Sequence, residues 1–164
     1  MSTPIRFRVS VLLTCLFALS TPSLCQGIDI FARGSWSRSI SSSDLTAGPG
    51  SNLPTTFASA SDVILVEVVN TASSSVRWHV NIRKTNGTWN SNLHLSAKRT
   101  GNGSSGNLTG GTLYQEITAT DVQFFAGRGD SSGITVGLEL TNVNIALDPP
   151  QTGSTAVTFT VVLN

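Results

Sequence analysis

The sequence predicts an all-β sandwich of about eight mostly antiparallel strands, preceded by a signal peptide. Three observations carry this. Beyond residue 26, short runs alternate apolar and polar residues, and helical periodicity is hard to find. Gly, Ser, Asn and Pro separate the runs, as turns and loops require. The N-terminus has the layout of an export signal: basic Arg6 and Arg8, an apolar stretch from Val9 to Leu19, and a small-residue exit at Ser23-Leu24-Cys25.

The stretch from Val9 to Leu19 falls short of the roughly 20 residues that a spanning helix needs. The expected division is therefore a signal peptide over 1–25, with Ser20 as the alternative cleavage site, and one β-sandwich domain over 26–164. Cleavage would remove Arg6 and Arg8 from the ten basic side chains, leaving eight against nine acidic ones. That near-neutral balance gives no electrostatic reason to bind nucleic acid or an anionic membrane. Both cysteines, Cys15 and Cys25, precede the cut, so the domain is expected to fold without a disulfide. No second apolar stretch is long enough to span a membrane.

Taken in order, the first run places Ile28, Ile30, Ala32, Trp36 and Ile40 on one face. Asp29, Arg33, Ser35, Ser37 and Ser39 take the other. A Ser/Gly/Pro-rich loop over 41–61 leads to Val63–Val69, apolar on both sides and hence a central strand. Asn86-Gly87 between two alternating segments predicts a tight two-residue hairpin. With Thr85 facing Thr88, Val76 meets Ala97, Trp78 meets Leu95 and Val80 meets Leu93, all apolar pairs.

A flexible tract over 100–111 precedes two short strands, Leu113–Thr118 and Val122–Ala126. The apolar parity of Ile134, Val136, Leu138 and Leu140 then switches to Val143, Ile145 and Leu147, which predicts a bulge near Thr141 or Asn142. A turn over 148–153 introduces the last strand, with Val157, Phe159, Val161 and Leu163 on one side.

The hairpin register sets His79 against His94 on its polar side. Two facing imidazoles can share a Zn²⁺, Cu²⁺ or Ni²⁺ ion, although a structural zinc site needs four ligands and a catalytic one three plus water. Their neighbours supply no carboxylate or thiolate, which favours an incidental surface pair. Trp89, at the hairpin end, either caps the core or stands exposed as a stacking platform for a sugar, beside Arg77, Asn81 and Arg83. Arg128-Gly129-Asp130-Ser131 spells a cell-adhesion tetrapeptide and reads equally as a turn. Asn86, Asn102 and Asn107 head glycosylation sequons.

His-Glu-x-x-His motifs and phosphate-cradling glycine loops do not occur, and the acidic residues are scattered singly. The expectation is a protein with no enzymatic activity and no cofactor.

The terminal strand Ser154-Thr-Ala-Val-Thr-Phe-Thr-Val-Val-Leu163, the leader and the Ser/Thr/Asn/Gly-rich loops resemble secreted fimbrial subunits and the related spore coat protein U type of domain. Leu163 stands where chaperone-assembled pilins commonly carry tyrosine. The resemblance implies an immunoglobulin-like sandwich, incomplete or completed, on a secreted or cell-surface subunit whose partner is another copy or another surface protein joined by a lent strand. The physical logic is general: a sandwich lacking an edge strand leaves apolar surface and unpaired amides that an alternating segment can fill. The run Gly27, Ile28, Ile30 and Ala32 is a candidate donor, or simply the first strand of its own domain. The alternative role is a small carbohydrate-binding domain.

Overall fold

The computed structural model describes residues 27–85, 87–88, 91–144 and 152–164 in full, and residues 5–12 as backbone. Their strands are β1 (Ile5–Leu12), β2 (Asp29–Ile40), β3 (Thr56–Ala58), β4 (Ile64–Val69), β5 (Arg77–Lys84) and β6 (His94–Arg99). They continue with β7 (Thr109–Gly110), β8 (Gln115–Glu116), β9 (Val122–Arg128), β10 (Ser131–Thr141) and β11 (Thr152–Leu163). One sheet runs β7-β9-β5-β11-β1 and ends on the C-terminal half of β2. The other begins on the N-terminal half of β2 and runs through β4, β10 and β6 to β8, with β3 also on β10. The predicted all-β sandwich is therefore the fold. No helix among the described residues is long and apolar enough to cross a membrane.

β2 serves both sheets. Asp29–Gly34 pairs antiparallel with β4, whereas Ser35–Ile40 pairs with β1. The handover occurs at Gly34, whose φ of 140° suits only glycine. A Cβ there would also run into the carbonyl oxygen of Val63.

Alternation builds the core as expected. Trp78, Val80 and Ile82 of β5 point inward and meet Leu95 and Ala97 of β6, together with Val66, Val136 and Phe159. Trp78 is completely buried; its indole Nε1 donates to Gly129 O at 2.8 Å and its ring meets Phe125 edge-on at 6.2 Å. Each such burial stabilises by roughly 1.5–3 kcal/mol before entropy is counted. A smaller cluster of Ile40, Leu53, Phe57, Leu93, Leu140 and Val143 fills one end, bridged to the main core by Trp36.

Several local expectations are corrected. β5 and β6 do not form a hairpin: β5 pairs with β9 and β11, while β6 pairs with β8 and β10. Their apolar faces meet across the core instead of side by side. Of the expected turn, Gly87 is described and Asn86 lies outside the described residues. Leu113–Thr118 supplies only the two-residue β8, and Leu113 is 81% exposed. The tract over 100–111 contributes β7, paired with β9.

The parity switch after Leu140 occurs where the strand ends, at Asn142 with a φ of 62°, and Val143 is buried again. The register shift within β10 falls earlier, between Ser131 and Ile134. A second shift opposite Val80 and Asn81 leaves Phe124 as an extra residue in β9, so Phe124 and Phe125 are both buried despite being adjacent.

Candidate assembly groove

The two histidines stand on opposite outer faces, because β5 and β6 lie in different sheets about 10 Å apart. His79 Nδ1 donates to Asn164 Oδ1 at 2.5 Å, and His94 Nδ1 lies 2.9 Å from Glu116 Oε1. The expected cross-strand histidine pair, and with it the candidate metal site, is thus taken apart, the error being inherited from the hairpin register. Among the described residues, no group of three or more His, Cys, Asp or Glu is placed to hold a metal ion.

Arg77, Asn81 and Arg83 do share one outer face, at alternate positions of β5. Arg83 Nε lies 3.6 Å from Asp121, and Asn81 sits between Gln123 of β9 and Thr160 of β11. Trp89, read as either a core cap or a stacking platform, lies outside the described residues. The adhesion tetrapeptide is tied into the fold. Arg128 Nη2 donates to Asn107 Oδ1 at 3.1 Å, while Asp130 Oδ1 accepts from Thr71 N at 2.9 Å and Thr71 Oγ1 at 2.6 Å. Those two bonds hold the Asp130 carboxyl below the usual carboxylate range.

Of the two readings of the run 27–32, lent strand or first strand of its own domain, the pairing is that of the second: Ile30 and Ala32 pair with Val68 and Val66 of β4. Ile30 is buried in the main core, and Ile28 and Ala32 pack against it. Gly27 lies just ahead of the strand.

The unusual place in the topology is occupied by β1. It runs antiparallel to β2, with Ile5 facing Ile40 and Ser10 facing Ser35. It runs parallel to β11, with Arg6 facing Thr152 and Leu12 facing Thr158, the one parallel pairing among the described residues. Among the described residues, Ser35–Ile40 has no other strand partner, and Thr152–Ala156 likewise pairs with no other strand. Without β1 these two edges would face each other across two strand spacings, about 10 Å, too far to hydrogen-bond directly.

Both walls are nevertheless anchored from their far sides. On β2, the Arg38 guanidinium pairs with Asp44 and lies 5.0 Å from the centre of the Phe57 ring, while Ile40 is buried in the smaller cluster. Asp44 is itself fixed: its Oδ2 accepts from Ser41 N at 2.9 Å, closing a capping box on the 3₁₀ turn Ser42–Asp44. On β11, Thr85 N donates to Ala156 O at 2.8 Å and Ser154 N donates to Thr88 Oγ1 at 3.1 Å. Arg38 and its capping box were not singled out by sequence, although Ser41-x-x-Asp44 is the signal that could have found them.

The arrangement is a one-strand slot between β2 and β11, occupied by β1, with walls anchored independently of it. No family model matches the chain, and a search of the curated proteins finds no significant relative.

Proposed function

We propose that this protein is an exported, non-enzymatic surface subunit that assembles through the slot between β2 and β11. The observation supporting this reading is that the slot is filled by Ile5–Leu12, inside the segment expected to be removed on export. Once that segment leaves, six residues of β2 and five of β11 lose the only strand partner they have among the described residues. Apolar residues at the inner side of the slot, Trp36, Ile40 and Val157, would become more accessible. An alternating strand from a second polypeptide, another copy being the simplest source, would restore both sets of interactions.

The experiment compares residues 26–164 with the full chain at rising concentration, by light scattering and electron microscopy. The shorter chain should form concentration-dependent oligomers or fibres. A peptide of sequence Ile5–Leu12 added in excess should suppress them and raise Tm, since a ligand of the folded state stabilises it by mass action. A shorter chain that stays monomeric, with a Tm indifferent to the peptide, would overturn the reading.

A further inference from the structure

β5 and β9 bring two cations into direct opposition: Arg77 and Arg128 are cross-strand partners at the end of the pair. Like charges directly opposite are destabilising in a sheet, by an amount comparable to the ~0.2–1 kcal/mol that opposite charges contribute. Three other arginines among the described residues each have a carboxylate: Arg33 has Glu67, Arg38 has Asp44 and Arg83 has Asp121. Among the described residues, neither Arg77 nor Arg128 forms an ion pair. The expected domain over 26–164 has one more acidic than basic side chain, so this unmatched pair is not a consequence of excess positive charge.

The pair also lines a shallow depression of about 440 Å³, floored by Leu108 and Gly127 and flanked by Asn107 and Asn164. That volume lies within the ~300–1,000 Å³ range typical of small-molecule sites. Its polar groups are positioned. Asn107 Oδ1 accepts from Arg128 Nη2 at 3.1 Å, and Asn164 Oδ1 accepts from His79 Nδ1 at 2.5 Å. Asn164 N donates to Arg77 O at 3.1 Å, fixing Asn164 beside β5. With both amide oxygens engaged, the amide NH₂ groups of the two asparagines are left as donors.

The wall formed by residues 106–109 is held by Arg99, a buried guanidinium that donates to Gly110 O through Nε at 3.0 Å and through Nη2 at 2.8 Å, and also to Asn102. Arg99 is satisfied by neutral oxygens, and its burial pushes its pKa down. A buried charge without a counter-ion is costly unless its hydrogen bonds are complete. Its use here is to pin one wall of the depression to the sheet.

We infer that this depression is a binding site for an acidic saccharide, with Arg77 and Arg128 taking the carboxylate or sulfate and the flanking amides taking hydroxyl groups. Guanidinium groups match planar oxyanions through paired N–H bonds. The near-neutral domain selects against a dense polyanion such as nucleic acid, and favours one anionic group on a hydroxyl-rich carrier. This inference does not depend on the slot between β2 and β11.

The test is an NMR titration of ¹⁵N-labelled protein with a glucuronate-containing oligosaccharide, a sulfated oligosaccharide, a neutral oligosaccharide of equal length, and sodium sulfate. Shifts should centre on residues 77, 107, 127 and 128 for the acidic sugars and be absent for the neutral one. The arm giving the lower Kd identifies the anionic group. Arg77→Gln and Arg128→Gln should each weaken binding at least tenfold, without lowering Tm because like-charge repulsion is relieved, while Arg33→Gln on the opposite face should leave binding unchanged.

Shifts that are equal for neutral and acidic sugars, or Arg77→Gln and Arg128→Gln chains that are folded by ¹⁵N spectra and bind normally, would overturn the site. Sodium sulfate binding as tightly as either acidic sugar would reject the saccharide and leave only a nonspecific anion contact.

Discussion

The two halves of β2 differ in what holds them. Asp29–Gly34 is sealed against β4, and its inward Ile30 lies in the main core beside Val66 and Val68. Ser35–Ile40 has side-chain anchors in the Arg38–Asp44 pair and in Ile40, but its backbone ladder depends wholly on β1. A continuous strand thus changes from a part paired within the main core to a part whose pairing comes from β1. The lesson is that side-chain anchoring and backbone satisfaction are separable, and a slot can be preformed by the first while lacking the second.

The largest expected effect comes from the shared core. Trp78→Ala should cost about 3–5 kcal/mol in chemical denaturation, because it removes the largest fully buried side chain, its bond to Gly129 and its edge contact with Phe125. It should affect the full chain and residues 26–164 equally, since Trp78 pairs with Leu163, at the other end of β11 from the residues that pair with β1.

Next is the handover itself. Gly34→Val should destabilise by about 3 kcal/mol or more, measured by the same titration, because the φ of 140° is closed to a β-branched residue and the new side chain meets Val63 O. A loss under about 1 kcal/mol would mean that the strand passes between the sheets by another route.

Ile40→Ala sharpens the contrast between the halves. It should cost about 2–3 kcal/mol in the full chain, where Ile40 is 3% exposed, and clearly less in residues 26–164, where the slot beside it is open. Equal losses in the two chains would show that β1 contributes nothing to the packing of this end.

The smallest effect concerns the turn between β9 and β10. Hydrogen bonds from Thr71 depress the Asp130 pKa, so the carboxylate contributes stability above its unfolded pKa that is lost as pH falls through the lower folded value. Thr71→Val should lower Tm slightly near pH 7, where the carboxylate is ionised, and leave Tm near pH 2 unchanged, so that the decline between about pH 5 and pH 2 flattens.

Much of the fold was legible because period-two patterning states which side chains turn inward. Trp78, Val80, Leu95 and Phe159 are buried as the alternation requires. The same pattern could not choose partners. Trp78 and Leu95 are apolar neighbours whether their strands lie side by side or face each other across the core, so the hairpin register and the opposition of His79 and His94 passed a test that could not have failed them. Asn86-Gly87 added only local turn preference.

Phe124 and Phe125 break alternation, and nothing short of the bulge itself signals that both are inside. Arg99 was illegible for a different reason: a lone arginine beside a Gly/Ser tract gives no sign that a carbonyl oxygen waits for it eleven residues on. The stretch Val9 to Leu19 is apolar enough to serve as a leader, and its opening residues sit in β1 as well, since hydrophobicity alone does not distinguish the two uses.

The most direct measurement is amide hydrogen exchange on the full chain, on residues 26–164 as monomer, and on residues 26–164 after assembly. The account predicts protected amides over residues 35–40 and 152–156 in the first, rapid exchange over those segments in the second, and protection regained in the third, with residues 29–34 protected throughout. Equal protection of residues 35–40 and 152–156 in all three would contradict it.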